Sequence, residues 1–134
     1  MQGMQVKKLD LHWEIIAMRS GDVMRHLEAV QPLLHKFDYA SCGLYGHAVP
    51  VLIFRAACAQ SAPAALVAEL DAALDLNDEA AEEEFAALDY RDARRGIAKR
   101  VLLRTGKVVG VRLTGETAAR DWLKDLMASD ASAE

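Results

Sequence analysis

The chain has 134 residues, 52% of them hydrophobic and 27% charged, with a net charge of −4. That balance suits a single folded domain and excludes a disordered polar segment or nucleic-acid binding over the whole surface. The cysteines, Cys42 and Cys58, are too few for a disulfide scaffold, and no run approaches the roughly 18 apolar residues of a membrane span, so a cytoplasmic protein without membrane contact is expected.

The amino terminus, Met1 to Lys8, has no apolar stretch behind its lysines and does not read as a secretion signal. From Val6 to Arg19 a strand is predicted. Leu9, Leu11 and Trp13 alternate with Asp10, His12 and Glu14, and Ile15-Ile16-Ala17-Met18 is then continuously apolar, as in a central strand. Ser20-Gly21-Asp22 forms a turn, with Asp22 as a helix N-cap. Val23, Leu27, Val30 and Leu34 follow helical spacing, and Pro32 predicts a break near Gln31.

Tyr39 to Pro50 reads as an irregular loop. Val51 to Cys58 reads as a buried strand, and Ser61 as the cap of a helix with Pro63 in its first turn and an apolar stripe of Leu66, Val67, Leu70 and Leu74. Strand, turn and helix thus occur twice, at 9–34 and 51–76, as repeated architecture without matching identities. The acidic stretch between Leu76 and Leu88 reads as a short solvated helix or a loop. A β-hairpin follows, Ala98–Arg104 and Val108–Leu113, about a Thr105-Gly106-Lys107 turn where Gly106 supplies a permissive φ. Thr114 or Thr117 caps a last helix, with Ala118, Trp122, Leu123 and Leu126 on its buried side. Both Trp13 and Trp122 are expected in the core. The expected fold is α+β: a two-layer sandwich with a small mixed sheet of about four strands and three to four helices mainly on one face. One domain covers 1–128, and 129–134 is expected to be a disordered tail.

Cys42 and His47, with Cys58 and His35, supply the thiolate and imidazole donors that suit zinc, although no C-x-x-C or H-x-x-x-H knuckle occurs. The same Cys/His pair is a candidate nucleophile and base. Two cysteines cannot hold an iron–sulfur cluster alone, and no cofactor is expected. The basic run Arg91, Arg94, Arg95, Lys99, Arg100, Arg104, Lys107 and Arg112 suits an acidic partner or phosphate-bearing ligand; alternatively it neutralises the preceding acidic run. Gly106, Gly110 and Gly115 fit neither phosphate-loop pattern. Thr114-Gly115-Glu116-Thr117, at a predicted helix start, reads as self-capping in preference to anion binding.

From Asp89 to Leu123 the residues Tyr90, Asp92, Arg95 and Gly96, then Gly106 to Thr117, then Trp122-Leu123, resemble the C-terminal accessory region of bacterial molybdopterin-dependent assimilatory nitrate reductases. A similar hairpin and helix closes flavin-dependent pyridine-nucleotide reductases. Val51 to Leu76 resembles the strand and Ala-rich helix preceding that region in the nitrate reductases. The resemblance implies an accessory or docking role beside a redox enzyme, without its pterin ligands or iron–sulfur motif. The expectation is therefore a non-catalytic accessory domain or small subunit that associates with a larger oxidoreductase chain, or with itself. The hairpin and last helix would make the contact, with Arg94, Arg95, Arg100 and Arg112 as its charged residues. The rival expectation is a ligand- or metal-sensing module using the loop 39–50 through Cys42, His47 and Cys58.

Overall fold

The structure, a computed structural model, describes residues 13–46, 49–77, 85–115 and 117–129. In chain order it contains β1 (Trp13–Ser20), α1 (Val23–Val30), a 3-10 turn (Gln31–Lys36), β2 (Tyr39–Tyr45), β3 (Val51–Cys58) and α2 (Ala64–Ala73). Then come β4 (Phe85–Asp92), β5 (Ile97–Arg104), β6 (Lys107–Thr114) and α3 (Arg120–Ala128). The strands form one sheet in the order β2-β3-β1-β6-β5-β4, antiparallel throughout.

The chain is α+β, as its pattern implies, but the sheet has six strands in place of about four, and it is antiparallel, not mixed. The additional strands, β2 and β4, are its two edges. Tyr39–Tyr45 is a paired strand, not a loop. It carries only short or half-exposed residues inward, so no apolar alternation announces it.

β1 shows why the helices cannot share one face. Ile15 and Ala17 join a core with Val30, Phe54, Leu70 and Leu74, whereas Ile16 and Met18, pointing the other way, join Val111, Leu113, Leu123 and Met127. α1, the 3-10 turn and α2 thus cover one face and α3 the other, giving three layers where two were expected. The continuous apolar run in β1 is the signature of a strand buried on both sides.

Local signals hold with small displacements. α1 ends at Val30 and the 3-10 turn begins at Gln31, where Pro32 prevents continued α-helical bonding. Asp22 precedes α1 but its side chain makes no capping bond; Pro63, not Ser61, is the N-cap of α2. β5 and β6 are joined by Thr105 and Gly106, both at positive φ, the two-residue turn whose twist matches a hairpin. Neither threonine caps α3: Thr114 Oγ donates to the Ala98 carbonyl and Thr117 Oγ to Glu14. Leu123 and Met127 form the buried stripe of α3, while Trp122, expected in the core, is 66% exposed. The expected strand positions before Trp13, residues 78–84 of the acidic stretch, Glu116 and the tail from Asp130 lie outside the described residues.

Gly115 tests the junction between the hairpin and α3. Its φ is +86, its N–H donates to the Glu14 carbonyl, and a Cβ there would collide with the Gly96 carbonyl. Gly96 also has positive φ, but open space surrounds its missing Cβ. Gly115→Ala is expected to cost about 2 kcal/mol or more, against about 1 kcal/mol for Gly96→Ala. Urea unfolding of the two variants checks that order.

Candidate functional site

The densest polar structure lies at the end of α2. Val67, Asp71 and Leu74 share one side of this helix, so an acid falls within its apolar stripe, and Asp71 is buried. Arg112 answers it from β6. Its position between the core residues Val111 and Leu113 turns it to the α2 face, where it is 5% exposed. Its Nε and Nη2 donate to the two carboxylate oxygens of Asp71 at 2.9 and 2.8 Å, a bidentate fork.

Arg100, opposite Arg112 on β5, brings its Nε to 3.7 Å from the same carboxylate. That Nε is buried without a hydrogen-bond partner; the two Nη groups donate to Asp89, Asn77 and the Leu76 carbonyl. From β1, Arg19 Nε donates to the Leu74 carbonyl at 2.9 Å, capping the last turn of α2 with a cation. Burial pushes the Arg19 guanidinium below its ordinary value, against the opposing pull of Asp75.

α1 holds the same corner. The ring of buried His26 lies 2.9 Å from the Gly21 carbonyl through Nδ1 and 3.0 Å from the Asp75 carboxylate through Nε2. Arg25 Nη1 reaches Asp75 at 3.0 Å. Burial by itself raises the Asp75 carboxyl, but hydrogen bonds from His26 and Arg25 outweigh it and hold the group below its ordinary value.

Beside this cluster, between α2 and the β4–β5 pair, is a cavity of about 450 Å³. Trp13, Val67, Ala64, Ala68 and Ala98 give it apolar walls, and Arg91, Arg100, Arg112, Asp71 and Asp92 give it charge. Sequence reading did not find this site. Its available signals were an acid inside an apolar helix stripe and an arginine inside an apolar strand.

The residues proposed from sequence are placed as follows. Cys42 lies on β2 opposite Phe54, and Cys58 ends β3 four residues further along, so their Cα atoms are separated by on the order of 13 Å. Burial raises the Cys42 thiol, the reverse of an activated nucleophile. His47 lies outside the described residues, and His35 is exposed on the 3-10 turn. Among the described residues no three His, Cys, Asp or Glu side chains are grouped to hold a metal. Arg94 and Arg95 are exposed in the β4–β5 turn, while Arg100 and Arg112 are drawn inward to Asp71. The basic run is in part neutralised locally, by Asp89, Asp71 and Asp92.

On the opposite face α3 covers β6, β1 and β3. The row Leu88, Val101, Val111, Met18 crosses the sheet on this side, yet only its inner members are buried. Leu88 and Tyr90 are 57% and 53% exposed. Arg120 and Lys124 lie toward β2 and β3, with Lys124 Nζ 4.4 Å above the Tyr45 ring. Trp122, two residues from each and so roughly 200° around the helix, projects from the other flank. No described helix is long and apolar enough to cross a membrane.

No known protein family, no curated protein and no solved structure matches this chain.

Asp71→Ala leaves Arg112 buried and unpaired and is expected to cost about 3–5 kcal/mol, whereas Asp71→Leu with Arg112→Met costs far less. Urea midpoints separate the two. For Asp75 the lowered folded value means that its stabilisation is present above its ordinary value of 3.8 and is lost as acid carries the pH down through the folded value. Asp75→Asn keeps a side chain that tolerates the positive φ found there. The gap in urea midpoint between wild type and Asp75→Asn is therefore full at neutral pH and closes as the pH falls below 3.8.

Proposed function

We propose that this chain is a non-catalytic accessory domain that docks on a larger protein through the β4–β5 half of its second face and the adjoining flank of α3. The observation that carries this reading is the exposure of Leu88 and Tyr90 beside the half-buried Val101, on a stretch of sheet that no described helix covers, with Trp122 exposed on α3. Interfaces are enriched in aromatic side chains and in arginine. Lys99 Nζ lies 5.9 Å from the Tyr90 ring centre, and Arg94 and Arg95 stand in the adjacent turn.

The resemblance over 89–123 suggests the partner, a larger oxidoreductase of the nitrate-assimilation type. Tyr90 and Trp122, two of the residues that carry the resemblance, both belong to this exposed surface. The same domain could associate with a second copy of itself; a strictly dimeric preparation without a foreign chain would favour that.

The test compares tagged wild type with Leu88→Ser/Tyr90→Ser/Trp122→Ser in capture from the native host. Wild type is expected to retain one larger chain carrying molybdenum or flavin, and the variant about tenfold less of it. Because these side chains are exposed, the variant should unfold within about 0.5 kcal/mol of wild type per site. Recovery of the domain alone, equal recovery by the variant, or turnover by the purified domain would overturn the reading.

A further inference from the structure

The cavity on the opposite face, between α2 and the β4–β5 pair, has the features of a small-molecule site. We infer that it binds a small monocarboxylate with a flat apolar body, a class of ligand that the docking reading neither requires nor supplies.

Size and lining come first. A volume of about 450 Å³ falls within the usual range of about 300–1,000 Å³ for ligand pockets. It exists because small residues stand where larger ones would close it: Ala64 and Ala68 on α2 and Ala98 on β5, with Trp13 and Val67 completing the apolar walls. Trp13 offers a flat surface against which a planar body can pack.

Charge then selects the sign. Of the cations lining the cavity, Arg112 is committed to Asp71, and both Nη groups of Arg100 are engaged. Arg91 has no hydrogen bond or ion pair among the described residues. The lining carboxylates are already occupied. Asp71 faces Arg112 and Arg100, and Asp92 accepts the Arg95 N–H at 3.3 Å while lying 3.9 Å from its guanidinium. Counting Arg91, Arg100 and Arg112 against Asp71 and Asp92, the described lining is net positive by one in a chain whose total is −4. α2 also opens beside the cavity without a side-chain cap, so the positive end of its dipole is uncompensated.

One free guanidinium matches one carboxylate, which it can hold through two parallel N–H···O bonds. A phosphate dianion fits less well, because Asp71 and Asp92 are close by and only one cation is uncommitted. Mostly apolar walls also favour a ligand whose bulk is hydrocarbon.

The experiment is calorimetric titration of the full chain with sodium benzoate, benzyl alcohol and inorganic phosphate. Saturable benzoate binding is expected, with benzyl alcohol and phosphate each weaker by about tenfold or more. Arg91→Gln should weaken benzoate by about tenfold, the loss of one charge-assisted contact. Ala68→Leu, which fills the cavity from an exposed position on α2, should abolish binding. Both variants should retain the wild-type melting temperature. Lack of saturation at about 10 mM benzoate would overturn the site, as would equal binding of benzyl alcohol, equal binding of phosphate, or unchanged binding by Arg91→Gln. Because Leu88, Tyr90 and Trp122 lie on the other face, their triple variant should bind benzoate as wild type does.

Discussion

The carboxylate of Asp71, buried between the guanidinium groups of Arg112 and Arg100, is the constraint from which the rest of the domain is positioned. A charge removed from water is tolerated only with close, well-aligned partners, so α2 cannot slide or rotate without leaving one of them exposed to that penalty. The remaining polar contacts extend the same hold. Arg19 takes the Leu74 carbonyl, Arg100 the Leu76 carbonyl, and His26 with Arg25 the Asp75 carboxylate. The end of α2 is thereby tied to β1, β5, β6 and α1. Two arginines of the basic run, Arg100 and Arg112, thus join Arg19 in the internal frame of the molecule, while Arg91, Arg94 and Arg95 remain exposed.

A second constraint is simple width. Six strands spaced about 4.8 Å apart span roughly 24 Å between edges, whereas one helix is about 10 Å across. α1 and α2 centre on the β3–β1–β6 region from one side, and α3 lies over the same strands from the other. Among the described residues the β4–β5 pair is consequently undercovered on both faces. On the α2 side small residues turn the deficit into a cavity with a charged floor; on the α3 side it leaves apolar and aromatic side chains exposed. One geometric shortfall thus creates two chemically different surfaces, and the two proposed roles can operate independently.

The parts of the fold that were legible in sequence were those with strong periodicity. The doubly buried strand Ile15–Met18, the helix from Val23 interrupted at Pro32, and the hairpin turning at Gly106 all bury a recognisable apolar set. The edge strands were not legible. β2 lines the sheet with Ala40, Cys42 and Leu44 on one side, and β4 leaves Leu88 and Tyr90 exposed, so neither shows the inside–outside alternation that marks an inner strand. Trp122 is exposed for a related reason. Its spacing fits an apolar stripe with Leu126, but the stripe chosen by packing is Leu123 and Met127. Several residues of the cavity, among them Trp13, Val67 and members of the basic run, are individually visible in sequence, but their convergence with alanines of α2 depends on contacts between positions far apart in the chain.

The sequence by itself determined the α+β class, the principal helices and central strands, and the turn chemistry of the hairpin, because hydrophobic period and φ preference are properties of neighbouring residues. Tertiary structure decided the strand order, the face taken by each helix, and whether a charge is exposed or buried. Arg94 and Arg112 are the same residue type in the same basic run. One stands in a turn in water, and the other meets Asp71 because β6 pairs with β1 and carries it beneath α2. No local preference encodes that meeting; it follows from which elements must pack together to bury both faces of β1.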